Sequence, residues 1–192
     1  MTCYHTCKNR GDRESILGLV PFHSNNNKAQ WLGAGYYLWT DSDLFAHAWG
    51  RNPKYSSTDY AIVKFTLCVP QEQYLDLVGK VDHQQYFLTL VEEYKTRLQQ
   101  AIQKSTDVDS RRRYRHKLDC VSVSSVINHF RKLRTFSFKV VKAADVESTD
   151  TKELDFLEKS SLGEKLLLPT RQQIVVFPEA KNLLSMPEWH HP

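Results

Sequence analysis

Three short segments of this chain constrain it most: Tyr4-His5-Thr6, Gly35-Tyr36-Tyr37-Leu38-Trp39 and Gln173-Ile174-Val175-Val176-Phe177. Each reads as a strand that carries polar or aromatic side chains suited to a site. They are spread over almost all of the 192 residues, so a site assembled from them requires one closed domain rather than a string of modules. A chain of this length buries a core large enough for independent stability, and 41% hydrophobic with 25% charged residues is ordinary globular composition.

The same composition excludes several classes. No apolar run approaches the roughly 18 to 20 residues that cross a bilayer, and the N-terminus lacks a basic segment followed by an apolar stretch. The expectation is a cytoplasmic protein without a membrane partner. Cys3, Cys7, Cys68 and Cys120 form no close pairs, so buried free thiols are expected rather than a zinc knuckle or a disulfide framework. The eight histidines show no ligand spacing, and no metal is expected.

Along the chain, residues 2 to 7 read as a first strand, and Ser24 to Lys28 as a polar loop. Gly33 and Gly35 bracket a tight approach to the strand Tyr36 to Trp39. Asp41 or Asp43 then caps a helix running through Trp49. Asp59 to Val69 alternates as a strong strand, and Phe87, Leu90, Val91, Tyr94, Leu98 and Ile102 stripe a helix from about His83 to Gln103. Val121 to Leu133 reads as a further helix, so that a largely helical insertion occupies about 80–134. Phe136 to Val141 returns to strand, Leu154, Phe156 and Leu157 suggest a docking helix, and Leu166 to Leu168 and Ile174 to Phe177 are the last strands. One domain, 1–186, is expected, followed by a peripheral tail at 187–192 that holds His190-His191.

The net charge of +4 conceals an asymmetry. Residues 95–145 hold thirteen Lys or Arg against four Asp or Glu, leaving the remainder net negative, and a local positive field attracts polyanions whatever the total. Arg111, Arg112, Arg113, Arg115, Lys117, Arg131, Lys132 and Arg134 interleave with Tyr114, His116, His129 and Phe130. Cations among aromatic rings suit phosphate contact and base stacking, so this is the candidate nucleic-acid surface. A plain basic surface and an acidic protein partner are the alternatives.

At the three segments named first, the chain resembles the ADP-ribosyltransferase superfamily, in its branch of diphtheria-toxin and PARP-like enzymes. The resemblance spans residues 4 to about 184, though its specific motifs occupy only some twenty of them, with the Gly33-x-Gly35-Tyr-Tyr-Leu block and the Ala46-x-Ala48-Trp49 helix as its most specific part. It implies an α+β fold with a split antiparallel sheet, flanking helices and the basic helical insertion. NAD is implied as co-substrate, bound by His5, Thr6, Gly35, Tyr37, Ala46 and Trp49, with His5, Tyr37 and Gln173 as the catalytic set. His5 would bind the nicotinamide ribose and the Thr6 backbone the carboxamide, where the family often has glycine. Tyr37 would stack on nicotinamide with Tyr36 on the opposite face, and Trp49 is either the second ring of the clamp or a core residue. Gln173 occupies the place of the family's glutamate, with Gln172 one register away. Glutamine still hydrogen-bonds a ribose hydroxyl but brings no charge, which points away from poly-ADP-ribose elongation.

The activity implied is mono-ADP-ribosyl transfer to a macromolecular acceptor, with RNA or DNA favoured. An intracellular toxin or antiviral defence effector, restrained by an antitoxin or another inhibitory protein, fits that expectation. The alternatives are protein mono-ADP-ribosylation, NAD hydrolysis, and a nucleic-acid-binding module on a catalytically inactive transferase fold.

Overall fold

Strict alternation organises the first strand, β1 (Thr2–Lys8), in which Cys3, His5 and Cys7 point inward and the residues between them stay half-buried. The structure is a computed structural model and describes residues 1–24, 30–52, 59–145, 152–155, 165–168 and 171–191. A short helix follows, α1 (Arg13–Leu19), capped by Asp12, whose carboxylate accepts from the Ser15 N–H at 2.8 Å. Next come β2 (His23–Ser24), β3 (Gly35–Thr40), α2 (Leu44–Gly50) and β4 (Tyr60–Thr66).

After β5 (Tyr74–Asp76) the chain leaves the sheet for α3 (Val81–Lys104), α4 (Val108–Asp119) and α5 (Val123–Lys132). It then returns in β6 (Val140–Asp145), which pairs parallel with β5. Parallel neighbours need a long crossover, and the helical insertion is that crossover. The last elements are β7 (Lys152–Asp155), β8 (Lys165–Leu168), β9 (Arg171–Val176) and β10 (Glu188–His191).

The main sheet runs β10-β4-β1-β3-β9-β6-β5, with β2 added on β3, and every pair except β5–β6 is antiparallel. The protein is therefore α+β, as expected. One face buries Cys3, Cys7, Val63, Phe65, Leu38, Ile174 and Val176 against Ile16 of α1. The other buries Val141 and Val175 against Leu90, Tyr94 and Leu98 of α3 and Val126, Ile127 and Phe130 of α5. A third apolar group, Trp39, Phe45, Ala46 and Ile62, seats α2. The amphipathic stripe expected on α3 thus faces the sheet.

Several expectations need correction. The strand expected at Phe136–Val141 begins only at Val140, because Phe136 and Phe138 turn toward one another at a ring separation of 5.5 Å and Phe136 packs on Phe177. Leu154 lies in β7, paired with β8, rather than in a docking helix; Phe156 and Leu157 lie outside the described residues. Ser24 belongs to β2, and Asn25 to Lys28 lie outside the described residues. Of the four thiols only Cys3 and Cys7 are buried; Cys68 and Cys120 are exposed.

The tail expected to be peripheral is an edge strand. Residues 188–191 pair with β4, whose outer edge would otherwise expose unpaired backbone groups. Glu188 meets Lys64 at 3.4 Å, and Trp189 lies opposite Val63 with the Arg13 guanidinium over its ring. Trp189→Ala removes much of a half-buried indole and is expected to cost about 1–3 kcal/mol, or several degrees of Tm. Glu188→Gln breaks only an exposed ion pair and should stay within about 0.5 kcal/mol of wild type. Thermal melts of the two variants check the strand's contribution, and equal melts would remove it.

Candidate functional site

The sheet opens at its centre. β1 stays with β4 from Thr2 to Lys8, but it is paired with β3 only at Cys3–Thr40 and Tyr4–Trp39. Past those pairs the strands part, and β3 takes β2 on the freed side, at Tyr36 and Gly35. A cavity of about 460 Å³ occupies the opening. Thr6, Cys7 and Lys8 of β1, Tyr37 and Trp39 of β3, Gln173 of β9 and Trp49 of α2 all face it.

His5 sits at the fork. Its Nδ1 lies 3.0 Å from the Tyr37 carbonyl, and its Nε2 accepts from the Phe22 N–H at 3.3 Å. Because one partner is a carbonyl and the other an N–H, the ring must be the neutral Nδ1–H tautomer. Burial lowers its pKa below the ordinary 6.5, against a smaller opposing effect of the Tyr37 carbonyl. The imidazole thus replaces the missing main-chain pairing between β1 and β3, and both of its nitrogens are engaged by backbone.

Tyr37 is fixed at both ends. Its hydroxyl donates to the Gly33 carbonyl at 2.8 Å and accepts from the Leu32 N–H at 2.9 Å, so the ring is a rigid plate in the cavity wall. Burial raises its pKa and keeps it a phenol. Tyr36 faces the opposite layer, as period two requires, and packs beside His23. Trp49 both lines the cavity and leans on Trp39, with ring centroids 5.9 Å apart.

Gln173 lies opposite Trp39 in the β3–β9 register and lines the cavity, whereas Gln172 does not. Its Oε1 accepts from the Trp31 indole N–H at 2.7 Å, which orients the carboxamide so that its NH2 is the end a ligand can use. Thr6 also lines the cavity, but its hydroxyl donates to the Ala46 carbonyl at 2.9 Å and ties α2 to β1. Ala46 itself is fully buried and outside the lining, as is Gly35. An added Cβ on Gly35 would come within 2.6 Å of the Val175 side chain and 2.7 Å of the Val176 carbonyl, so its role is to let β3 lie close on β9.

Sequence reasoning missed Lys8, Arg10, Phe22, Gln30 and Trp39, which also line the cavity. Only the aromatic density around Trp39 offered a signal. Lys8 and Arg10 make the wall positive, and among the described residues no carboxylate lines it. Burial pushes the Cys7 thiol up to about 11, which favours its protonated form at neutral pH. The cavity therefore suits an anionic ligand with flat ring systems.

The eight basic residues of the insertion stand apart from this cavity, and none lines it. Arg131 is committed elsewhere, paired with Glu179 at 2.9 Å and seated 3.7 Å over the Phe177 ring. Arg111 donates to the Ser105 carbonyl and Arg113 to the Ser110 hydroxyl. Arg112, Arg115, Lys117, Lys132 and Arg134 are exposed on or just after α4 and α5.

Comparison with protein-family models, with curated proteins and with solved structures finds no match in any of the three.

The lowered pKa of His5 has a measurable consequence. Below about pH 6.5 the unfolded chain takes up a proton that the folded ring refuses, so this contribution to stability is complete above that pH and is lost as pH falls toward the depressed native value. The melting temperature of wild type should fall more steeply from pH 7 to pH 5 than that of His5→Asn. His47 and His129, whose pKa values burial also lowers, are common to both proteins and cancel in the comparison. Parallel pH profiles would refute the assignment.

Proposed function

We propose that the protein binds NAD in the central cavity and transfers its ADP-ribose to a macromolecular acceptor, with nucleic acid favoured. The observation that carries this reading is the gathering of His5, Thr6, Tyr37, Trp49 and Gln173, remote in sequence, around one cavity that also holds Lys8 and Arg10. It is the residue set that the resemblance to ADP-ribosyltransferases implies, with Gly35 and Ala46 as supports behind it. The two cations suit a pyrophosphate, and the Tyr37, Trp39 and Trp49 rings suit nicotinamide.

In this reading Tyr37, held by Leu32 and Gly33, orients nicotinamide, and Gln173, held by Trp31, orients the ribose. His5 contributes by holding the fork open at a fixed width rather than by touching the sugar. Beyond Tyr4 the β3-facing edge of β1 has no strand partner among the described residues, which leaves main-chain groups for a carboxamide. The bond from nicotinamide to ribose breaks with its electron pair going to the nicotinamide ring nitrogen, which neutralises the ring's charge. The acceptor then supplies a lone pair to the ribose carbon. With no carboxylate in the described lining to take a proton, the site favours an acceptor atom already free of one, such as a phosphate oxygen or a base ring nitrogen. The exposed cations of α4 and α5 would hold such a polyanion.

A second reading, dinucleotide binding without transfer, is favoured by the same carboxylate-free wall. Adenylate-labelled NAD incubated with separated RNA, DNA and protein pools separates the two. Transfer predicts label on a nucleic-acid pool, and binding alone predicts neither label nor nicotinamide release. Gln173→Ala should lower turnover by about 10²-fold or more, while Gln173→Glu retains or redirects transfer. Arg10→Ala should weaken NAD binding by about tenfold with less effect on turnover of bound NAD. Full turnover in Gln173→Ala would sink the assignment of that residue.

A further inference from the structure

Asp43 and His47 stand one helical turn apart at the start of α2, so their side chains share a face. β10 brings two consecutive histidines to the same place. Its register against β4 slips between Trp189 and His191, and such a bulge re-aims side chains that strict alternation would send to opposite faces. The His190 Nε2 lies 2.7 Å from the Asp43 Oδ2, and the His191 ring lies 4.8 Å from that of His47 and 5.2 Å from that of Tyr60. The His47 Nε2 is 3.7 Å from the same Asp43 oxygen, and the ligand atoms of Asp43, His47 and His190 all fall within 4.8 Å of one another.

We propose that Asp43, His47 and His190 form a zinc site that clamps the C-terminal strand to α2. Imidazoles with one carboxylate are a zinc donor set. Tetrahedral ligands at about 2.0–2.1 Å from the ion stand ~3.3–3.5 Å from each other; the Asp43 oxygen is 2.7 and 3.7 Å from the two imidazole nitrogens and no pair exceeds 4.8 Å, so side-chain shifts of about an ångström would set the three around an ion. The surrounding groups point the same way. The Nδ1 of His47 lies 2.9 Å from the Tyr60 hydroxyl, which fixes the ring so that Nε2 faces Asp43 and His190, the outer hydrogen bond that metal-bound histidines make. Gly50 admits the Tyr60 ring to that position, since a Cβ there would collide with it. The three ligand side chains are 25%, 31% and 40% exposed, so an ion can enter. The role is structural: α2 carries Trp49 into the cavity wall, and the clamp holds it there.

The test uses the full chain without a histidine tag, stripped with chelator and titrated with Zn2+ alone by calorimetry, with thermal melts in parallel. One zinc per chain and a higher Tm are expected, with both lost in His190→Ala. Asp43→Asn keeps the side-chain shape and should weaken binding by at least about tenfold, and Tyr60→Phe by about 10–100-fold. These two variants carry the test if His190→Ala does not fold. His116→Ala, which removes an exposed histidine next to Cys120, should change nothing. Zinc uptake below one per chain, uptake that persists in His190→Ala and Asp43→Asn, or uptake lost in His116→Ala would each overturn the site. None of these readouts involves NAD, so failure here leaves the proposed function untouched.

Discussion

The molecule is arranged around one imidazole that does the work of a strand pairing. Where β1 and β3 separate after Tyr4 and Trp39, β3 takes β2 at Gly35 and Tyr36 and a gap opens beside β1 in the middle of the sheet. His5 spans that gap from β1 to the Tyr37 carbonyl on β3 and takes the Phe22 N–H on its far nitrogen. A buried imidazole is tolerable only because both nitrogens are satisfied and the ring is neutral. The fork allows a cavity in the middle of a continuous sheet, and each wall then has its own fastening: Thr6 to Ala46, Tyr37 to Leu32 and Gly33, Trp31 to Gln173.

This arrangement separates rigid positioning from chemistry. The residues nearest the cavity spend their polar atoms on the protein and present ring faces and one amide edge inward. In the function proposed above, a wall of that kind would orient a ligand whose own leaving group is already activated, as a positively charged nicotinamide is. In that proposal Arg10, just past the end of β1, would supply charge at the cavity, while the larger basic surface lies on the β5–β6 crossover. Ligand and acceptor would thus be attracted by different parts of the fold, and only one of them depends on the fork.

Much of the fold was legible in the chain. Alternation at Ala61, Val63 and Phe65 marks β4, the stripe of Leu90, Tyr94 and Leu98 marks α3, and both periods are imposed by burial on one face. Tyr37 and Gln173 were singled out by the resemblance, and strand parity then set Tyr36 and Gln172 on the opposite face. Phe136 and Phe138 misled because aromatic residues at alternate positions also satisfy a loop folded on itself. Trp189 and the two histidines after it carried no strand signal of their own, since an edge strand of four residues is defined by the partner it meets. Lys8 and Arg10 were illegible as cavity residues because a cation on the last residue of a strand or just past it looks like any solvated charge.

The α+β class, most of the elements and the opposed directions of Tyr36 and Tyr37 on β3 could be read from the chain, because local periodicity fixes which side chains share a side. What those faces meet came from the assembled fold. It showed that His5 bridges rather than points free, that Gln173 rather than Gln172 lines the cavity, that Ala46 and Gly35 lie behind the wall, and that Asp43 and His47 come within reach of His190. These are consequences of register and of a bulge between segments up to 147 residues apart. No local pattern encodes them, since a one-residue slip leaves each segment's periodicity intact while it exchanges every side chain between the two faces.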